Sequence, residues 1–260
     1  MIRLCVFDLG GTIIDKYSLS PFLSIKHAFN NKNISIKNNL IYKNMGVDKF
    51  DHINHILKDK DVLYDWFNRH GKRPSYDDSL SLYEDYLKYQ LNDGINNVEI
   101  IPETKNCIHL LSENNISTGV TTGFSRPVMN KMKDKLIQND IMIDNYISST
   151  CLGKPGRPNP HMIKELMNQL SIKDPRKVIK VDDTVIGITE GKNAGCITVG
   201  VSKWSSNMKM NSYDQIVPRE EYIEKRKYST EILWSANPDY VIKDLSELYP
   251  LIKKINCRTF

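Results

Sequence analysis

The chain has 260 residues, 40% hydrophobic and 26% charged, enough to bury one large core or a core with an insert. No apolar run approaches the roughly 20 residues of a membrane span, no signal-peptide pattern opens the chain, and the five scattered cysteines lack the spacing of a zinc site or disulfide frame. The net charge of +5 is dispersed, with its densest cluster, Arg219 to Lys227, interleaved with Glu as on a solvated helix face; it suits a small anionic substrate and gives no nucleic-acid patch.

From the N-terminus, Ile2, Leu4 and Val6 mark a short apolar run that reads as a buried strand ending on Asp8. Gly10-Gly11-Thr12 then turns the chain. A carboxylate at the carboxyl end of a buried parallel strand sits where open α/β sheets bind ligands, although an Asp there can also simply cap the turn. Helical spacing follows in Phe22 to Asn30 and in Asn38 to Asn44, which stops at Met45-Gly46. A further helix carries Lys49, His52, Ile53, Ile56 and Leu57. Ser75 to Asp78 resembles a capping box opening a long helix that stops before Gly94. Residues 19–97 are therefore read as an all-helical insertion.

Beyond that point strands and helices alternate. Strands are predicted at Ile116 to Thr121, Tyr146 to Ser149, Val178 to Val181, Cys196 to Val201 and Tyr240 to Ile242, with a helix over Pro160 to Leu170. Such alternation predicts an α/β class, a doubly wound parallel sheet formed by residues 1–18 and 98–260. Three further features fall at the sheet edge: Thr121-Thr122-Gly123, the Gly156 to Pro160 turn with Arg157, and Asp182-Asp183-Thr184. Each has a plain structural alternative as turn, surface cation or helix cap. Together they offer oxygen ligands that suit Mg²⁺ and donors that suit a phosphoryl group.

With these residues the chain resembles the haloacid dehalogenase superfamily and, within it, the phosphonoacetaldehyde hydrolase (phosphonatase) family. The resemblance runs from about Arg3 to Leu248 on FDLGGTIID, MGVDKFDH, TTGFSR, GRPNP and DDTVIGITEGKNAGCITVGV. It implies a Rossmann-like core with an inserted helical cap, a Mg²⁺ cofactor and a homodimer through cap helices, while the unpaired cysteines fit a reducing cytosol, so a cytoplasmic enzyme is expected. It implies Asp8 as nucleophile, Lys49 as Schiff-base lysine, and metal held by Asp8, the Gly10 carbonyl and Asp183. Arg157, Thr122 and Gly123 would bind the phosphoryl group, and Met45 and Gly46 would wall in Lys49. His52, three residues on, would shuttle a proton. Lys49 is read as lying about one turn into its helix, where the dipole favours the free amine.

The residue two after the nucleophile is Gly10, where related phosphatases carry a second Asp that protonates an alkoxide. A carbon leaving group has no such need. Other positions depart from the family pattern: Asp182 where a Gly precedes the metal-ligand Asp, Gly187 where a second Asp follows, Phe124 for Tyr, and Leu9-Gly10 for Trp-Ala. Asp182 would either replace the missing carboxylate in part or point into solvent. Two other functions are weighed: a phosphatase acting on small phosphomonoesters, and a non-catalytic relative that keeps the fold.

Overall fold

The side chains of the first strand, β1 (Leu4–Phe7), enter two different apolar layers, which explains why the run is apolar throughout. Leu4 and Val6 pack with Met162, Ile163 and Leu166; Cys5 and Phe7 pack with Ile108, Leu111 and Met129. In the computed structural model, which describes residues 1–257, β1 lies inside a six-stranded parallel sheet. The others are β2 (Ser117–Thr122), β3 (Asn145–Ser148), β4 (Val178–Asp182), β5 (Ile197–Val201) and β6 (Tyr240–Ile242), in the order β3-β2-β1-β4-β5-β6. The chain winds outward from β1 to β3, then crosses to β4 on the other side of β1. That reversal opens a crevice at the carboxyl ends of β1 and β4.

Between β1 and β2 come α1 (Leu19–Asn31), α2 (Asn38–Lys43), α3 (Lys49–Leu57), α4 (Lys60–His70) and α5 (Tyr76–Tyr89). A wider π-helical turn, Gln90–Gly94, continues α5. These helices enclose an apolar cluster of their own around Phe22, Phe29, Ile53, Trp66 and Leu82, and Met208 and Met210 reach into it from the loop after β5. The capping box of α5 is present: Asp78 N donates to Ser75 Oγ at 3.2 Å and Ser75 N donates to Asp78 Oδ2 at 2.8 Å. The remaining helices are α6 (Thr104–Glu113), α7 (Arg126–Gln138), α8 (Ser149–Leu152), α9 (His161–Gln169), α10 (Val185–Ala194), α11 (Arg219–Ser235) and α12 (Leu248–Cys257). Among the described residues no helix is long and apolar enough to cross a membrane.

The two connections between sheet and insertion share one buried chain of hydrogen bonds. Asp15, in left-handed backbone geometry, accepts from Ser20 Oγ at 2.7 Å and from the Tyr213 hydroxyl. Gln90 Nε2 donates to Ser20 Oγ at 2.8 Å, and Ser24 Oγ donates to Gln90 Oε1 at 2.6 Å. Burial pushes Asp15 up from 3.8 to about 6, against the opposing pull of the Tyr213 and Ser20 donors. Between those values the folded chain keeps a proton that the unfolded chain has released. Stability contributed by Asp15 is therefore full below about pH 4 and is lost as pH rises to about 6, by about 3 kcal/mol for a shift of about two units. Urea unfolding of wild type and Asp15→Asn across that window is expected to show the decline in wild type and a flatter profile in the variant.

Candidate active site

The carboxyl ends of β1, β2 and β4 meet the loop between α2 and α3. Asp8 follows β1, its backbone N–H donating to the Val181 carbonyl of β4 at 3.0 Å. Asp8, Gly10, Thr122, Gly123 and Arg157 from the sheet side, and Met45, Gly46 and Lys49 from the insertion, all line one cavity. Its volume is about 20 Å³, room for little more than a water molecule. The two sides approach closely because glycines face each other's neighbours. A Cβ on Gly123 would lie 2.7 Å from the Val47 carbonyl oxygen, and one on Gly46, at φ 90°, would lie 2.6 Å from Thr184 Oγ1. Across the same boundary Ser149 Oγ donates to Asp48 Oδ2 at 2.8 Å.

Behind the cavity lies a buried cluster of charges. The Arg157 guanidinium meets Asp8 Oδ1 at 3.0 Å, Asp182 Oδ2 at 3.4 Å and Glu190 Oε2 at 2.9 Å. It also donates to the carbonyl oxygen and hydroxyl of Thr121. Lys180 Nζ lies 3.0 Å from Asp182 Oδ2 and donates to Thr121 Oγ1 at 2.9 Å. Against the effect of burial, Asp8, Asp182 and Glu190 hold Arg157 above its ordinary range. Burial also opposes the shift of Asp182, which Lys180 and Arg157 bring below the usual carboxylate range. Asp8 moves upward, through burial first, with Arg157 opposing and Asp182 reinforcing. Asp183 moves upward more strongly, through burial and then its repulsion by Asp182 and Asp8, although Ser206 N donates to it at 3.0 Å.

Four carboxylates (Asp8, Asp182, Asp183 and Glu190) thus gather around two cations, Arg157 and Lys180. One oxygen from each of Asp8, Asp182 and Asp183 lies within 4.8 Å of the other two. An all-oxygen donor set with surplus negative charge fits a hard divalent cation, which would also reverse the upward shifts of Asp8 and Asp183.

Lys49 stands at the other wall. It is the first residue of α3, nearer the helix start than its sequence spacing predicts, because Asp48 is the cap: Phe50 N donates to Asp48 Oδ1 at 3.0 Å. Only 3% of Lys49 is exposed. Its ammonium donates to the Val47 carbonyl at 3.2 Å and lies 5.5 Å from the centre of the Phe124 ring. Burial lowers Lys49 from 10.5 to about 8; Arg157 adds to the fall, while Asp8, Asp48 and Asp183 resist it. His52, one turn further on and wholly buried, is outside the cavity wall; burial and then Lys49 press it well below 6.5, so the ring is neutral.

The sequence profile of the haloacid dehalogenase-like hydrolase family matches residues 5–201, the span from β1 through β5 that holds all of these groups. The chain belongs to this family. This hydrolase is 32% identical over 258 residues to phosphonoacetaldehyde hydrolase of Latilactobacillus sakei, covering 97% of this chain and 96% of the relative. Against the protein of the same name from Lactiplantibacillus plantarum it is 30% identical, over 98% and 97% of the two chains. Among solved structures it resembles a phosphonoacetaldehyde hydrolase like protein from Oleispira antarctica, with a TM-score of 0.93, 26% identity, and 99% and 93% of the chains covered.

Every residue singled out in the sequence reaches this region, eight of them in the cavity wall and His52 and Asp183 behind it. Asp182 does not point into solvent; it is fully buried in the charge cluster. Lys180 and Glu190 went unread. The available signal was a lysine inside the apolar run of β4, two residues before Asp182 and hence on the same face of the strand. The close approach of the two walls makes a further expectation. Gly123→Ala puts a methyl against the Val47 carbonyl and is expected to cost about 1–3 kcal/mol in denaturant melting, the usual range for overpacking.

Proposed function

We propose that this hydrolase cleaves the carbon–phosphorus bond of phosphonoacetaldehyde, giving acetaldehyde and phosphate. The observation that carries the reading is Lys49, a buried amine lowered to about 8 in the same small cavity as Asp8 and Arg157. An enzyme acting on phosphomonoesters needs an acid beside its nucleophile, and the position two after Asp8 is Gly10. The names of the lactobacillal relatives support the same substrate.

In this reading Lys49 Nζ adds to the aldehyde carbon and water leaves, forming an imine that is an electron sink when protonated. His52, buried outside the cavity wall and held neutral, adds no charge beside Lys49 and carries no proton in these steps. The Asp8 carboxylate then attacks phosphorus. As the oxygen–phosphorus bond forms, the carbon–phosphorus electron pair passes into the iminium and leaves an enamine. Protonation at carbon and hydrolysis release acetaldehyde and restore the Lys49 amine. Water finally splits the aspartyl-phosphate, giving phosphate and free Asp8. Arg157, the Thr122 hydroxyl and backbone N–H groups at Gly123 hold the phosphonate oxygens. Asp8, the Gly10 carbonyl and Asp183 would hold Mg²⁺, which would neutralise charge on the phosphoryl group.

Residues 19–97 serve as a cap over the site, a role supported by their separate apolar cluster and by Met45, Gly46 and Lys49 in the cavity wall. A homodimer through the cap belongs to the same reading and is supported by the exposed Tyr64 and Phe67 of α4 and Tyr76 of α5.

With Mg²⁺, wild type is expected to release acetaldehyde from phosphonoacetaldehyde, and Lys49→Arg to lose at least ~10²-fold of that rate, as when a group used in the chemical step is removed. Release unaffected by Lys49→Arg would sink the imine, and aryl phosphate hydrolysis that survives the change would favour a phosphatase. A second readout is pH: wild-type kcat/KM is expected to rise through about pH 8 as Lys49 loses its proton.

A further inference from the structure

Two of the departures from the family pattern occupy a single volume. A Cβ on Gly187 would fall 1.8 Å from Asp182 Oδ2 and 2.0 Å from the Asp182 carboxyl carbon. No side chain at 187 can coexist with the Asp182 carboxylate where it stands. That carboxylate is fully buried over the first turn of α10, where the helix dipole favours an anion. Thr184 N donates to Asp182 Oδ1 at 2.9 Å and Thr184 Oγ1 donates to the same oxygen at 2.7 Å. Thr184 Oγ1 in turn accepts from Gly187 N at 3.1 Å, so 182, 184 and 187 form one hydrogen-bonded unit. On its other side Asp182 Oδ2 faces Lys180 at 3.0 Å and Arg157 at 3.4 Å.

We infer that Asp182 and Gly187 are one exchangeable pair. The carboxylate that fixes Arg157 and Lys180 behind Asp8 and Asp183 comes from the end of β4 instead of from the first turn of α10. Asp182 is thus a positioning residue, and the bare Cα of Gly187 is the condition for its place. Through Thr184, which abuts Gly46, the same carboxylate also sets the surface on which the α2–α3 loop rests. The inference rests on the metal-assisted reading of the site, and its test separates the two.

The test compares wild type with Asp182→Gly, Gly187→Ala, Asp182→Gly/Gly187→Ala and the double variant Asp182→Gly/Gly187→Asp, by Mg²⁺ titration calorimetry and by melting of the metal-free protein. Asp182→Gly is expected to weaken Mg²⁺ binding at least ~10-fold and to lower the metal-free Tm. Gly187→Ala, which adds one methyl, is expected to do the same alone and to have no further effect when Asp182 is already Gly. The double variant is expected to recover both quantities. A double variant no better than Asp182→Gly, including one that fails to fold beside it, would overturn the inference. So would Gly187→Ala that melts and binds Mg²⁺ as wild type does. Recovery of the metal-free Tm without Mg²⁺ binding in any protein, wild type included, would leave the pair standing and overturn the metal reading.

Discussion

The guanidinium of Arg157 is the group on which the rest of the site depends. Taking it out of water costs several kcal/mol unless its hydrogen-bonding edge is met by charge. Here Asp8 after β1, Asp182 at the end of β4 and Glu190 within α10 meet it from three separate elements. Removing any one of these carboxylates strips the buried cation of part of its compensating charge. The ends of the two central strands and the helix after β4 are therefore held in register by charge as well as by the sheet. Lys180 doubles the arrangement from within β4, and Thr121 Oγ1 receives hydrogen bonds from both cations. The carboxylates that remain in surplus, Asp8, Asp182 and Asp183, lie close enough together to suit a divalent ion.

The opposite wall follows a different logic. Lys49 is kept from its full charge by burial and by its place at the start of α3, where the helix dipole opposes an ammonium. Asp48 holds that position twice over, capping α3 with one oxygen and binding Ser149 with the other. A charged wall and an amine wall thus meet across glycines whose missing side chains set the distance. The sheet edge gathers groups that suit a phosphoryl group while the insertion brings in a buried amine, and the two are coupled, since Asp8, Arg157 and Asp183 all act on the charge of Lys49.

Much of this was legible in the sequence because the groups involved end or begin elements. Asp8 and Asp183 follow apolar strands, Arg157 sits in a proline-rich turn, and Lys49 stands beside a glycine at a helix start. The strand pattern was equally plain, each strand standing within a residue or two of its predicted place. Lys180 and Glu190 escaped because they sit inside elements, where a charged residue is ordinarily read as solvent-facing; only the sheet and helix together turn them inward. Asp182 and Gly187 were visible as two separate gaps in a pattern. Their relation is spatial, since five positions along the chain become one volume only after β4 turns into α10. The Asp15 network was hidden for the same reason, its members lying as far apart as Asp15, Gln90 and Tyr213.

The small volume of the cavity has a thermodynamic consequence. At about 20 Å³, room for about one water, the cavity leaves little space for a ligand between the two walls. If a reactant needs the walls parted, the measured dissociation constant is the intrinsic one divided by the fraction of molecules in that state. Tight apposition across Gly46 and Gly123 therefore weakens apparent affinity while keeping bulk water from the reactive groups between turnovers. Loosening those contacts would shift the balance in the other direction, toward readier admission and a wetter interior.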